Sequence, residues 1–217
     1  MPAKPIPSDI MTSTFMAAHP DIHWRSIALG AYRDGDFGKA LDGFKQASRY
    51  ADKFSQSMVA RMYWEGQGTA ADRALGYAWM DLAAERGYHD FLQQRELYWS
   101  VLSEDERREA VDSGQEVYAE YRDRVAKPRM ERELTRVTRN ITGSRLGFVS
   151  ASLYISKNRQ KVDMPAHVYY DKNYYQPDLY WCTQDAYWSR PLNPNVEVGT
   201  PQTLTNPAAE DPQAPEH

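Results

Sequence analysis

Apolar residues recur at helical spacing through the first two thirds of the chain. Ile22, Trp24, Ile27, Ala28, Ala31 and Tyr32 follow Asp21, which reads as an N-cap, and predict a helix from about residue 21. Gly35-Asp36 stops that pattern and restarts it, and Phe37, Ala40, Leu41, Phe44 and Ala47 predict a second amphipathic helix antiparallel to the first. The grammar then repeats. Met58, Val59, Met62 and Tyr63 form another apolar face ended by Gly66-Gln-Gly68. Asp72 caps a helix that turns Leu75, Gly76, Trp79, Ala83 and Ala84 inward and ends at Gly87. Asp36 and Asp72 lie 36 residues apart, a period that, filled by helix pairs, marks a helical solenoid.

A third unit is more degenerate. Phe91, Leu92, Arg95, Tyr98, Trp99 and Leu102 suit one helix. Ser103-Glu-Asp-Glu106 is a capping box for the next, whose charged surface suits a terminal cap and which should run to about Lys127-Pro128. Residues 129–140 predict one more, basic helix. Beyond Gly143 the character changes: Leu146 to Ile155 is β-prone, and Pro165 to Trp188 is dense in Tyr and Trp. The expected organisation is a disordered or linker segment over 1–20, a helical-repeat solenoid over 21–140, an aromatic-rich, irregular and β-prone extension over 141–199, and a disordered tail over 200–217. The fold class is mainly α.

Residues 24–47, with Ala28 and the turn Gly35-Asp36-Phe37, resemble a tetratricopeptide repeat. Residues 59–87 resemble a Sel1-like repeat through Val59-Ala60-Arg-Met62-Tyr63, Gly66-x-Gly68, Asp72, Trp79, Ala83-Ala84 and Gly87, departing from it at Thr69 and Leu75-Gly76. The resemblance covers roughly residues 21–127. It implies a non-enzymatic scaffold that binds other proteins and, since bacterial Sel1-like proteins are often exported, leaves a periplasmic or envelope setting open beside a cytoplasmic one. The physics agrees: Ala28, Ala60, Gly76 and Ala83 let helices approach, and Trp24, Phe44, Tyr63 and Trp79 fill the space beside them.

Composition narrows the function. The chain of 217 residues is 41% hydrophobic and 26% charged, enough to build a core. Its net charge of −4, pI near 5.8 and mean hydropathy of −0.74 argue against general nucleic-acid binding and against membrane insertion. A single cysteine, Cys182, excludes an internal disulfide framework and a Cys-rich zinc site, and its flanks Trp181 and Thr183 suggest packing over nucleophilic work. The first residues lack the apolar run of a secretory signal.

The candidate chemistry is sparse. His19 and His23 are spaced for a metal, but Pro20 separates them and they read as solvated histidines at a helix start. Glu104, Asp105, Glu106 and Glu109 suit a helix start, Asp81, Glu85 and Arg86 a solvated face, and Gly66-Gln-Gly68 an inter-helix turn rather than a phosphate loop. Arg129, Arg132, Arg136 and Arg139 share one helix face, open to an acidic partner or to solvent. No catalytic residue, cofactor or metal is expected.

The expected partner is another protein or peptide. Helices beginning near residues 21 and 55 should line the binding face, with Arg33, Arg61 and Trp64 as candidates. The aromatic segment offers Tyr180, Trp181 and Trp188, either as a cap packed on helices of the 90–140 region or as a platform for a glycan or peptide, the latter implying a cell-envelope binding module. The sequence assigns no oligomeric state.

Overall fold

The computed structural model describes residues 6–142, 152–157 and 160–190, and the protein is mainly α. Helix α1 spans Ser13–Ala18, α2 Pro20–Arg33, α3 Phe37–Ser48, α4 Lys53–Glu65, α5 Arg73–Ala83, α6 His89–Val101, α7 Glu104–Tyr121 and α8 Asp123–Thr142. Two strands follow, β1 (Ser152–Lys157) and β2 (Gln160–Pro165), paired antiparallel with Ile155 opposite Val162. The last helices are α9 (Ala166–Tyr169), α10 (Lys172–Tyr175) and α11 (Pro177–Trp188).

Local chemistry accounts for most boundaries in α2–α7. Asp36 accepts from the Lys39 amide at 3.3 Å and Asp72 from the Leu75 amide at 2.8 Å, so both act as N-caps. Ser103 and Glu106 form the reciprocal capping box at 3.3 and 2.8 Å. Gly66 ends α4 in the left-handed region, and a short 3-10 turn after α5 closes on Gly87 in the same way. The chain then breaks at Arg122, where ψ is 155°, and not at Pro128. Pro128 lies inside α8 at an exposed position, where its ring removes a single bond to the fourth preceding carbonyl.

Consecutive helices α2/α3 and α4/α5 pack closely as pairs and α3 meets α4, but α6 and α7 do not form a third such pair: each packs on α5 instead. Their core contains Ala28, Phe44, Val59, Met62, Trp79, Leu82, Ala83 and Val117. Small residues set the spacing: a Cβ at Gly43 would lie 2.9 Å from Ala28 Cβ, and one at Gly76 3.1 Å from the Ala60 carbonyl. Trp79 is buried with its ring 4.6 Å from that of Tyr121, so truncating it would cost about 3–5 kcal/mol.

The N-terminal segment differs from its expected linker character over residues 6–20. Thr12 caps α1, and Ile10, Phe15 and Ala18 are fully buried against Met164, Tyr169, Tyr174 and Tyr175. Asp21 is not the cap of α2. Pro20 takes the first helical position, His19 precedes it, and the Asp21 side chain points into the protein. The extension is less irregular than expected, because residues 166–188 are largely helical: Asp171 caps α10, and Pro177 starts α11. Its rings divide between two places. Tyr180 and Trp181 pack on Ala126, Met130 and Leu134 of α8, whereas Tyr169, Tyr174 and Tyr175 cover the N-terminal segment. Residues 146–151 of the β-prone stretch and the tail over 200–217 lie outside the described residues.

Candidate functional site

Hollows open along α2, α4 and α6. One, of about 390 Å³, lies between α4 and α6. Met58, Phe91 and Tyr98 wall it, Met80 from α5 contributes apolar surface, and Arg61, Glu65, Asp90 and Gln94 supply its polar edge. A second, of about 230 Å³, is lined by Ile22, Arg25 and Leu29 of α2, Phe54 of α4, and Thr183, Gln184, Tyr187 and Trp188 of α11. Trp188 lines the second. Its ring stacks on Phe54 at 5.4 Å and 17° and approaches Phe91 at 6.4 Å, while the Arg25 guanidinium lies 5.8 Å from its centre.

The candidate residues fall in different settings. Arg61 is exposed beside the first hollow and pairs with Glu65 at 2.8 Å. Trp64 is half-buried, stacked on Tyr98 at 3.8 Å and 9°, with Arg73 4.8 Å from its ring, so it buttresses that hollow from behind. Burial raises the Tyr98 phenol to about 12. Arg33 is exposed at the end of α2, its Nε donating to the Leu29 carbonyl, and lines neither hollow. Tyr180 is fully buried and Trp181 nearly so, which removes both from a surface open to partners.

A buried polar network joins the helix pairs to α8 and α11. Lys53 is fully buried and donates to Glu85, Gln56 and the Leu82 carbonyl at 2.8–3.0 Å, with Asp123 at 3.2 Å. Arg86 donates to both Asp123 oxygens at 2.6 and 3.0 Å, to the Ala51 carbonyl at 3.1 Å and to Asp185 at 3.4 Å. Burial alone would push the Asp123 carboxyl up, but the Arg86 hydrogen bond and the charges of Lys53, Arg86 and Lys127 outweigh it and hold it at about 2. Burial likewise pushes Lys53 down, yet its ammonium is enclosed by partners and lines neither hollow, so it is positioned to hold the fold together. The expectation of a solvated face at Asp81, Glu85 and Arg86 holds only in part: Glu85 and Asp81 keep solvent exposure while answering Lys53 and accepting from Tyr118 at 2.9 Å, but the Arg86 side chain is largely buried.

Other sequence candidates resolve in the same way. His19 is not solvated: its ring is buried, with Nδ1 and Nε2 each 2.8 Å from a carbonyl, those of Phe15 and Tyr174. Cys182 is exposed on α11 rather than packed. Arg129 donates to the Glu120 carbonyl at 2.8 Å, and Arg136 pairs with Glu133, whose charge tempers that basic face. Among the described residues no three His, Cys, Asp or Glu side chains are grouped to hold a metal, and no helix is long and apolar enough to cross a membrane. Sequence reasoning missed Arg25 and Phe54, which meet α11 only through tertiary structure, and Asp185 of α11 itself, whose partners Arg86 and Tyr88 are nearly a hundred residues away. One signal was available for α11: residues 180, 181, 184, 185 and 188 fall on one face once Pro177 is read as a helix start. Compared with known proteins, the chain matches no family model, no curated protein and no solved structure, so its resemblance to tetratricopeptide and Sel1-like repeats rests on residues 24–47 and 59–87 themselves.

Proposed function

We propose that the chain is a short α-solenoid of tetratricopeptide and Sel1-like type that binds a segment of another protein along the face formed by α2, α4 and α6, without chemistry of its own. The observation that carries this reading is the hollow of about 390 Å³ between α4 and α6, apolar within and edged by Arg61, Glu65, Asp90 and Gln94. Apolar depth with a mixed polar rim is the usual anatomy of a peptide-binding surface. The two successive helix pairs α2/α3 and α4/α5 and the caps at Asp36 and Asp72 support the repeat assignment. The rival reading, a glycan platform on the C-terminal aromatics, loses support because Tyr169, Tyr174, Tyr175, Tyr180 and Trp181 are all buried within the chain.

Site-directed photocrosslinking tests this. A benzophenone side chain at Arg61 or Gln94 should capture one defined partner that the same group at exposed Asp42 of α3 or Glu116 of α7 does not. The purified partner should then bind the protein, and Arg61→Glu should weaken it at least about tenfold. Equal capture from all four positions, or none from the first two, would overturn the reading.

A further inference from the structure

Helices α6 and α7 each pack on α5 without pairing with one another, and a groove of about 530 Å³ opens between them. Tyr77 and Ala78 of α5 form its floor, and Trp99 of α6 faces Val111 and Gln115 of α7 across it. The walls are held in place. The Trp99 ring lies 4.8 Å from that of Tyr77 and 4.9 Å from the Arg107 guanidinium, whose Nη2 donates to the Trp99 carbonyl at 2.9 Å. Tyr118 fixes the far end by donating to Asp81 at 2.9 Å. Val111 is 60% exposed, more than any other large apolar side chain among the described residues. From Val111 to Arg122 the groove follows α7 for about 16 Å, or roughly three helical turns.

The charges around this groove are unanswered. Arg122 lines its far end, with Nε buried and without a hydrogen-bond partner, and its guanidinium has no ion pair among the described residues. Asp112 and Glu116 follow Val111 and Gln115 by one residue, so they stand on the outer side of the same wall, exposed and likewise without an ion pair among the described residues. On the facing helix Arg95 is already answered by Asp81 and Glu96. We propose that the groove binds an amphipathic helix of a partner protein: apolar where it meets Trp99 and Val111, basic along the edge that meets Asp112 and Glu116, and ending at Arg122. The last carbonyls of a helix lack partners within it and carry the negative end of its dipole, which suits a free guanidinium. The same charges disfavour nearer occupants. Helix α7 carries seven acids against two arginines, so a second copy docking through this face meets like charge. The chain's own residues 191–217 hold four acids and no Lys or Arg. This groove shares no lining residue with the hollow between α4 and α6, and neither reading depends on the other.

The probe is an amphipathic Leu/Lys helix of about 14 residues, with fluorescein at its N terminus and a free C-terminal carboxylate, titrated into the full chain by fluorescence anisotropy. The same peptide with Glu for every Lys is the comparison. The Lys peptide should bind saturably at one site, and the Glu peptide at least about tenfold more weakly. Asp112→Lys with Glu116→Lys should weaken the Lys peptide at least about tenfold, and Asp34→Lys with Asp42→Lys, the same change of net charge at exposed positions of the α2/α3 pair, less than about twofold. Amidating the peptide's C terminus should weaken binding to the wild type at least about threefold and leave binding to Arg122→Gln unchanged. Helical circular dichroism checks the fold of each variant. No saturable binding, equal weakening by the two charge-reversed pairs, or the same effect of amidation in Arg122→Gln overturns the proposal. Should Arg122→Gln unfold, the two charge-reversed pairs decide alone.

Discussion

Tyr180 donates its phenolic hydrogen to Asp21 across 159 residues of sequence, and this bond fastens the C-terminal helix α11 to the first turn of α2. It buries a carboxylate. Asp21 Oδ1 has no hydrogen-bond partner, and burial raises the Asp21 carboxyl from its ordinary value despite the nearby charges of His19 and Arg25 and the bond from Tyr180.

A group whose folded-state pKa lies above its unfolded value contributes stability at low pH and loses it as pH rises through the folded value. Ionised Asp21 therefore costs stability near neutrality. Asp21→Asn keeps an oxygen to accept from Tyr180 and removes the charge. Thermal melts should give the variant a higher Tm than the wild type at pH 7.5, with a smaller difference at pH 4. An equal loss of Tm at both values would contradict this account of the site.

Asp123 behaves oppositely, being held at about 2 against an unperturbed 3.8. Its ionisation contributes stability above the unfolded value, on the order of 2 kcal/mol, which is lost as pH falls from about 5 towards 2. Asp123→Asn leaves Lys53 and Arg86 short of a counter-charge and should destabilise the fold by about 3 kcal/mol at pH 7. The acid limb of its stability curve should also be shallower than that of the wild type. Urea titrations from pH 7 to pH 3 read both quantities.

Gly68 and Gly87 separate backbone strain from crowding. Both have positive φ, 75° and 73°, but a Cβ on Gly68 would meet the Phe37 carbonyl oxygen at 2.4 Å, whereas one on Gly87 meets nothing within 4 Å. Gly87→Ala should cost about 1 kcal/mol, and Gly68→Ala at least about 2 kcal/mol because the turn must also move away from α3. Similar losses in chemical denaturation would mean that the close approach of this turn to Phe37 is not stabilising.

What was legible in the sequence was local. Asp36, Asp72, Ser103 with Glu106, and Gly66 with Gly68 act within a few residues of themselves, and the elements they bound lie where the pattern put them. The errors have long-range causes. Asp21 carries an N-cap signal, yet Pro20 begins the helix earlier and the carboxylate's partner is 159 residues away. The Pro- and Ser-rich start conceals Ile10, Phe15 and Ala18, whose burial depends on Tyr169, Tyr174 and Tyr175. The first hollow lies near Arg61 as the repeat pattern suggested, but nothing local places Trp188 between Phe54 and Phe91.

The central claim is that a partner segment occupies the hollow between α4 and α6, and methionine methyl NMR tests it most directly. Met58 and Met80 line that hollow, while Met62 and Met130 are fully buried elsewhere and serve as references. Titrating in the segment identified by crosslinking should move the Met58 and Met80 resonances together to saturation and leave those of Met62 and Met130 in place. Saturable binding that shifts Met130 and leaves Met58 and Met80 unmoved would contradict the account.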